Sequence, residues 1–485
     1  MDTPASEAGP VDGSVEEADA VRTAMSGLFG RDSLYLLFWF LQVVVAALAT
    51  PLATRLLGAP QFGLYAAANA VMQVLFVLAG LGLQVAVQKV FEDRGPDAAR
   101  RLVTVALVAA VVVPLVADLT GPLWSGPLGF GGYSGAVRLA VVWAGLSAVT
   151  ATLLALLRSQ DQLLGFTVVS LLQSVVAEAL SLGLLIVVAP DAEAFVLGRL
   201  LAQAAAVAVG LGLAGLRPVR ARDLPMVRSA VAFGLPLVPA LLGSFVLGAA
   251  DRFLIQAELG HAAVARYSVA YNIAALPMLI LSVLNSAWLP RFFAAGDGGD
   301  AVVTASRDAL YRLLAPVMVG LSVGAPLVLR VWAPASFAPD SLLWVAAVVI
   351  VSAVPYTAGL SATRALLAAS RPRMIAGAAV VASAVNVALN LWWIPMLGIL
   401  GAALATAAAY SLQHSLLLLP TRGRPFSTTR TGLLQSAGGV VLALLVVLLP
   451  TSPLGLCLRG VLACGCLVWF WSAYAGIRSA RAVPA

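Results

Sequence analysis

Glu178 lies about thirteen residues into an apolar run, near mid-bilayer for any helix that carries the run across a membrane. An ionised carboxylate there costs several kcal/mol, on the order of 3 or more, unless it is paired or protonated. Arg199 sits a few residues inside the far end of the next apolar run, and on a neighbouring antiparallel helix its long side chain can reach toward that carboxylate. A structural ion pair and a site that exchanges a proton or cation look alike at this level, and both readings stand. A second set, Arg55, Asp251, Arg252 and Arg266, comes from the ends of three other runs. Guanidinium groups turned to a shared cavity suit a phosphate-like anion, because their donors form a fork matched to its oxygens and stay charged at any relevant pH. The same arginines would equally anchor helix ends at the headgroup level. Gln73, Gln84, Gln173, Gln203, Tyr267, Tyr271, Asn272 and Asn285 supply amides and phenols that could meet a hydroxyl-rich ligand or bond one helix to another.

The elements that must position these groups are membrane-spanning helices. With 61% hydrophobic and 11% charged residues and a mean hydropathy of +0.98, the chain departs far from soluble composition. Apolar runs repeatedly reach the roughly 20 residues needed to cross a bilayer. About fourteen spans are expected, starting near residues 33, 62, 102, 138, 165, 194, 230, 263, 312, 341, 374, 398, 431 and 454. The expected organisation is a disordered cytoplasmic tail over residues 1–30, a six-helix bundle over 31–216, a basic cytoplasmic linker over 217–229, a second six-helix bundle over 230–420, and helices 13 and 14 over 421–485. The tail carries no apolar core that could serve as a cleavable signal. Across the linker, RPVRARDLPMVR, the sequence repeats at an offset of 202: Leu52, Leu57, Gly58, Tyr65, Ala68 and Phe91 match Leu254, Leu259, Gly260, Tyr267, Ala270 and Phe293. Pro236 and Pro239 fall together in the seventh span and predict a bent, hinge-like helix.

The net charge of +7 reflects topology. All but seven of the 29 cationic side chains fall in alternate connections that include the linker, the exceptions being Arg55, Arg138, Arg199, Arg252, Arg266, Arg330 and Arg459. The positive-inside rule then makes both termini cytoplasmic, and nucleic acid is not an expected partner. Cys457, Cys464 and Cys466 share the last span without metal-ligand spacing, and His261 and His414 join no cluster, so neither a metal nor a cofactor is expected. The longest outer loop, over 121–137, holds no acid or base apart from a tyrosine, and no phosphate-binding loop of the Gly-x4-Gly-Lys-Ser/Thr type occurs. The expected function is therefore not enzymatic.

Several motifs carry a resemblance. Residues 386–410, NVALNLWWIPMLGILGAALATAAAY, place Asn386 and Asn390 on one helical face, then a break, then a small-residue surface at Gly401, Ala402, Ala403, Ala405 and Thr406. Together with LGAPQFGLY at 57–65, DRFL at 251–254 and YSVAYNIA at 267–274, this hairpin resembles the polysaccharide and oligosaccharide flippases. Those belong to a superfamily that also holds lipid II flippases and multidrug extruders. The resemblance implies an all-α polytopic fold and alternating-access translocation of a polyprenyl-diphosphate-linked oligosaccharide across a bacterial cytoplasmic membrane, for cell-surface polysaccharide synthesis. Membrane lipid, a coupling proton or sodium ion, and a glycan polymerase or glycosyltransferases are the implied partners. By position, Arg252 of DRFL becomes the leading candidate for the diphosphate, with Arg55, Arg266, Arg199, Tyr271 and Asn272 as further substrate contacts and Glu178 and Asp251 as ion-coupling groups. A lipid II flippase, a cation-coupled multidrug extruder and a membrane-embedded glycan polymerase or ligase are the alternatives.

Overall fold

A computed structural model describes residues 31–282, 299–368, 371–419 and 430–479. The expected tail, together with Asn285 and the repeat partner Phe293, lies outside the described residues. Every regular element among them is helical: α1 Arg31–Gly80, α2 Leu83–Arg94, α3 Pro96–Leu119, α4 Gly135–Ser159, α5 Leu163–Val187, α6 Ala192–Ala214, α7 Ala221–Ala249, α8 Asp251–Leu259, α9 His261–Ala274, α10 Gly299–Trp332, α11 Pro339–Leu366, α12 Pro372–Leu397, α13 Ile399–Leu418, α14 Arg430–Leu445 and α15 Pro453–Ser479. Among the described residues, ten helices are long and apolar enough to cross a membrane, or eleven when the bent pair His261–Ala274 and Leu276–Ser282 counts as one span. The number falls below fourteen partly because the two apolar runs on either side of the Gly58 kink are counted together as one helix, and because the apolar helix over Leu434–Leu448 is short.

Gly58 is the point where α1 turns: its φ of 67° and ψ of 173° are non-helical. Gly260, its partner at an offset of 202, takes φ 77° and ψ 179° between α8 and α9. Only glycine enters this region without strain, so the two corners have the same backbone for the same reason. The chain also turns at Gly95, where Pro96 restarts the helix in a φ already suited to it. These corners let long helices reverse in one or two residues and keep polar backbone out of the apolar body.

The Pro236/Pro239 pair interrupts α7. Helix Leu224–Gly234 passes through one 3-10 turn, Leu235–Leu237, before α-helix resumes at Val238–Ala249. Proline removes amide donors here, and the tighter turn absorbs the defect. Ahead of α7, the basic linker is tied to the first half. Asp223 accepts from the Arg220 amide at 2.9 Å and pairs with Arg101 at 3.4 Å, and Thr104 donates to the Arg217 carbonyl at 3.0 Å.

The halves before and after the linker touch at both ends of the molecule. At the Gly58 end a Cβ on Gly63 would run into the His261 carbonyl, so α1 and α9 meet backbone to backbone. The loop over 125–134 joins this closure: Gln256 donates to the Gly129 carbonyl at 2.8 Å while bonding the His261 ring at 2.8 Å. Thr54 donates to the Trp332 carbonyl at 2.6 Å, and the Phe62 and Phe337 rings meet edge-on with centres 5.9 Å apart. That loop is itself held by Asp118, which accepts from Tyr133 at 2.7 Å and from both Nε and Nη2 of Arg138. Burial and the Asp118 carboxylate push the Tyr133 phenol up, so it stays a donor across the physiological range. At the linker end the backbones of Gly82 and Gly234 approach too closely for a Cβ on either, and Lys89 lies over the Phe233 ring. Gly63→Ala is expected to prop the Gly58 end open. A cysteine pair placed across α1 and α9 near that contact should then cross-link several-fold more slowly than in the parent chain, while an unchanged rate would count against backbone contact as the closure.

Helices α14 and α15 pack on α10, with Gly439 against Ala315 and Gly320 against the Cys466 side chain. Arg459, expected near a span end, is 0% exposed. Its guanidinium donates to the carbonyls of Val323, Val447, Leu449 and Pro450. Three of these close the α14 helical segment, where carbonyls lack amide partners and the helix dipole favours a cation. Val323 lies one turn before Pro326, in a stretch of α10 whose ladder the proline disrupts. Among the described residues Arg364 and Arg307 are also almost fully buried, at 1% and 4% exposed. Sequence position alone assigns all three arginines to helix ends.

Candidate functional site

Glu178 and Arg199 meet. Arg199 on α6 donates from Nη2 to Glu178 Oε1 on α5 at 2.6 Å, and both side chains are mostly buried. Directly before Glu178, residues Leu172–Val176 form a single turn of π-helix inside α5. A π-turn is rare and rotates every later residue relative to the earlier part of the helix, so it helps decide which neighbour Glu178 faces. The guanidinium carbon of Arg199 stands 5.3 Å from the ring centre of Tyr65, 5.6 Å from Trp143 and 5.1 Å from Phe195. Three rings thus surround the cation, each offering a negative face to a charge that has little water. Arg199 Nε is buried without a hydrogen-bond partner among the described residues, so the guanidinium keeps one donor in reserve. Nearby on the same helix, Gln203 donates to Thr150 Oγ1 at 2.6 Å, which assigns this amide to helix bonding.

The second constellation centres on α8 and α9. Asp251 is 1% exposed and accepts from the Tyr267 hydroxyl. Arg252 donates to Ser268 Oγ at 3.2 Å and to the Gly248 carbonyl at 3.1 Å, and reaches Asp251 at 3.5 Å. Its guanidinium carbon lies 5.0 Å from the Tyr271 ring centre. From there the cluster continues to two further phenols that interact with Tyr271: Tyr410 and Tyr356, which meet edge-on with ring centres 5.4 Å apart. A buried acid, a buried cation and four phenols therefore connect α8, α9, α11 and α13.

The two constellations are related through the repeat. Tyr65 follows Gly58 and Tyr267 follows Gly260 at the same spacing, and each stands beside an arginine already paired with a carboxylate. The ion pairs come from different elements, α5 with α6 in one half and α8 alone in the other. In each cluster a carboxylate neutralises a buried cation, which offsets the cost of keeping both charges out of water.

Other expected site residues lie apart. Arg55 is exposed and donates to the Pro51 carbonyl of its own helix at 2.9 Å, so it does not join Arg252. Arg266 is half-buried on α9, its Nε without a partner among the described residues, and Asn272 is exposed. Pro236 and Pro239 sit at the 3-10 break described above. Tyr65, Trp143, Phe195, Ser268, Tyr356 and Tyr410 were not among the expected site residues. The repeat spacing identifies Tyr65, and Tyr410 closes the 386–410 motif, but the three rings around Arg199 come from separate helices and leave no sequence signal. In that motif Asn386 and Asn390 are both 1% exposed, and Asn390 donates back to the Asn386 carbonyl and side chain at 2.9 and 3.1 Å. The helix breaks at Gly398 (φ 61°) and continues through Pro395. Gly401, Ala402, Ala403, Ala405 and Thr406 are all buried, with Gly401 against the Trp393 carbonyl. Among the described residues no group of three or more His, Cys, Asp or Glu side chains could hold a metal ion.

Apolar spans joined by glycine corners, closed at both ends around charge-balanced polar clusters, define an all-α multi-pass membrane protein. Residues 52–337 match the family described as polysaccharide biosynthesis protein, and the chain belongs to that family. The motifs in the sequence point to the same family. Among solved structures, the fold is similar to that of the lipid II flippase MurJ in an inward closed conformation, with a TM-score of 0.71 and 13% identity, covering 91% of this chain and 98% of that one. It is also similar to an inward-facing multidrug resistance MATE family transporter of the MOP superfamily, with a TM-score of 0.62 and 12% identity over 82% of this chain and 95% of that one. A MOP superfamily transporter from Pyrococcus furiosus aligns with a TM-score of 0.52 and 13% identity over 79% and 95%. No curated protein matches the chain in sequence.

Proposed function

We propose that the protein is a flippase that moves a polyprenyl-diphosphate-linked oligosaccharide across a bacterial cytoplasmic membrane by alternating access, with both termini cytoplasmic. The family match over residues 52–337 carries this reading. The contacts at both ends of the molecule support it, since two halves joined by a tethered linker can part at one end while the other holds. The two halves act as the rocking bodies, residues 31–216 and 230–420, with α14 and α15 attached to the second through α10. The Leu235–Leu237 turn at Pro236 and Pro239 is the hinge within α7. The sugar-bearing head group passes between the halves while the polyprenyl tail stays in membrane lipid.

Arg199 and Arg252 are the cations held in reserve, each neutralised by its own acid until the head group arrives. Protonation of Glu178 or Asp251, or engagement by sodium, would release the paired arginine to an incoming diphosphate, coupling the ion gradient to the cargo. Tyr271, Arg266 and Asn272 are secondary contacts, and Arg55 is an anchor at the Gly58 end. Polymerase and glycosyltransferases acting on the same carrier are the functional partners. We read the protein as a transporter and not as an enzyme, because the clusters are buried pairs without an activated nucleophile.

Surface glycan in a deletion strain tests the reading. The parent chain should restore it, and Glu178→Gln and Arg252→Ala, present in the membrane at parental level, should each reduce it at least tenfold. Full restoration by both variants would refute the assignment of these clusters. A second reading, lipid II translocation, is favoured by the likeness to MurJ across nearly the whole of both chains. It predicts rescue of a strain depleted of its lipid II flippase, which the oligosaccharide reading does not.

A further inference from the structure

A cleft of about 280 Å³ opens into the first half at the linker end, lined by Gln84, Gln88, Arg158 and Phe166 together with Ala151, Leu154 and Ala155. α2 contributes Gln84, Val85 and Gln88, and α4 contributes Ala151, Leu154 and Ala155 with Arg158. Gln84 and Gln88 are four apart on α2, so both amides project from one half-buried face, flanking the face on which Leu83, Ala86, Val87 and Val90 are buried in the core. An amphipathic helix presenting two amides to a cavity gives that cavity donors and acceptors at one-turn spacing, which suits vicinal hydroxyls. Arg158 ends α4 with an exposed guanidinium at the cleft rim. Phe166, on α5, adds a ring for an apolar sugar face or the start of a hydrocarbon chain.

We propose that this cleft is the loading site for the phosphosugar part of the head group, with Arg158 on the phosphate and Gln84 and Gln88 on sugar hydroxyls. The inference rests on the flippase reading and extends it. Arg199 and Arg252 are mostly buried in this conformation, whereas Arg158 is exposed at the rim of the cleft. The head group therefore meets Arg158 first and reaches the paired arginines only after the halves move. The volume fits roughly one phosphorylated monosaccharide, so the rest of the oligosaccharide stays in the aqueous phase during loading.

The same phosphate chemistry could come from an anionic bilayer lipid, and the test separates the two. The full chain in nanodiscs of zwitterionic lipid is titrated with farnesyl diphosphate, with farnesyl-diphospho-N-acetylglucosamine, and with short-chain phosphatidylglycerol. Arg158→Gln should weaken both diphosphate probes about tenfold, with Arg158→Lys recovering part of the loss. The Gln84→Leu/Gln88→Leu pair should weaken only the sugar-bearing probe, by about fivefold. Unchanged diphosphate affinity in Arg158→Gln overturns the proposal, as does an equal loss for all three probes, which would mark a general lipid-headgroup site. Because Arg158 is exposed, unaltered elution as a single species checks that the fold survives. If the parent restores surface glycan while Arg158→Gln binds as tightly as the parent, the cleft assignment fails and the flippase reading stands. If the parent restores none, the reading itself fails.

Discussion

Arg199→Leu is expected to be among the most damaging single substitutions in the chain. It leaves the Glu178 carboxylate inside the bilayer without the 2.6 Å partner that neutralises it, and leaves Tyr65, Trp143 and Phe195 facing no cation. Breaking a buried pair from one side costs about 3–5 kcal/mol, because the surviving charge keeps its desolvation penalty and loses its compensation. Removing both charges is a different matter. The Glu178→Met/Arg199→Leu double variant should regain most of the lost stability, since an apolar replacement of similar volume for a buried pair is often near neutral. Melting temperature and the monodisperse fraction after extraction measure this directly. Export then separates the two roles left open in the sequence. A pair that only supports packing gives a double variant that is stable and active, whereas a coupling pair gives one that is stable and inactive. A double variant as unstable as Arg199→Leu would mean that the ion pair is not what holds α5 to α6.

Arg459→Leu is the second large effect. Four carbonyls lose the Arg459 donor at once, three at the end of the α14 segment and that of Val323 within α10. Each buried acceptor left without a partner costs about 1–3 kcal/mol, and leucine supplies none. The expected result is local: α14 and α15 come away from α10 while residues 31–418 keep their fold. Limited proteolysis should cut between α13 and α14 at least several-fold faster than in the parent. Arg459→Lys should rescue only partly, because one ammonium cannot span four acceptors spread like those of a guanidinium fork. Loss of the whole protein, with no stable fragment, would show that the last two helices are integral to the second half.

The fold class was legible because hydrocarbon imposes it: backbone groups without water must bond internally, so apolar runs of this length become helices. Corners were legible too, since Gly58 and Gly260 recur at one offset and only glycine takes their backbone without strain. Glu178 and Arg199 could be paired from position because a lone mid-membrane carboxylate demands a partner and the following helix offers one. Arg459 shows the limit. Its place near a span end suggests a headgroup anchor, but the acceptors that bury it belong to residues 323 and 447–450, and main-chain carbonyls carry no residue-type signature. The aromatic surround of Arg199 fails for a related reason, as Tyr65, Trp143 and Phe195 converge from three helices whose packing angles are set by the whole body. Arg55 misled in the opposite direction: it ends the run before the first glycine corner, as Asp251 and Arg252 lie before the second, but the α1 face that carries it is exposed.

The closures at the two ends are built from different materials. At the linker end the halves meet mainly through non-directional packing: the bare backbones of Gly82 and Gly234, the Lys89 cation over the Phe233 ring, and Met226 and Ala230 in the first half's core, with the Asp223–Arg101 pair beside them. At the Gly58 end the Gln256 and Thr54 bonds and the Phe62–Phe337 contact must all yield. Parting the Gly58 end therefore requires directional bonds to break together, whereas the linker end separates mostly non-directional packing.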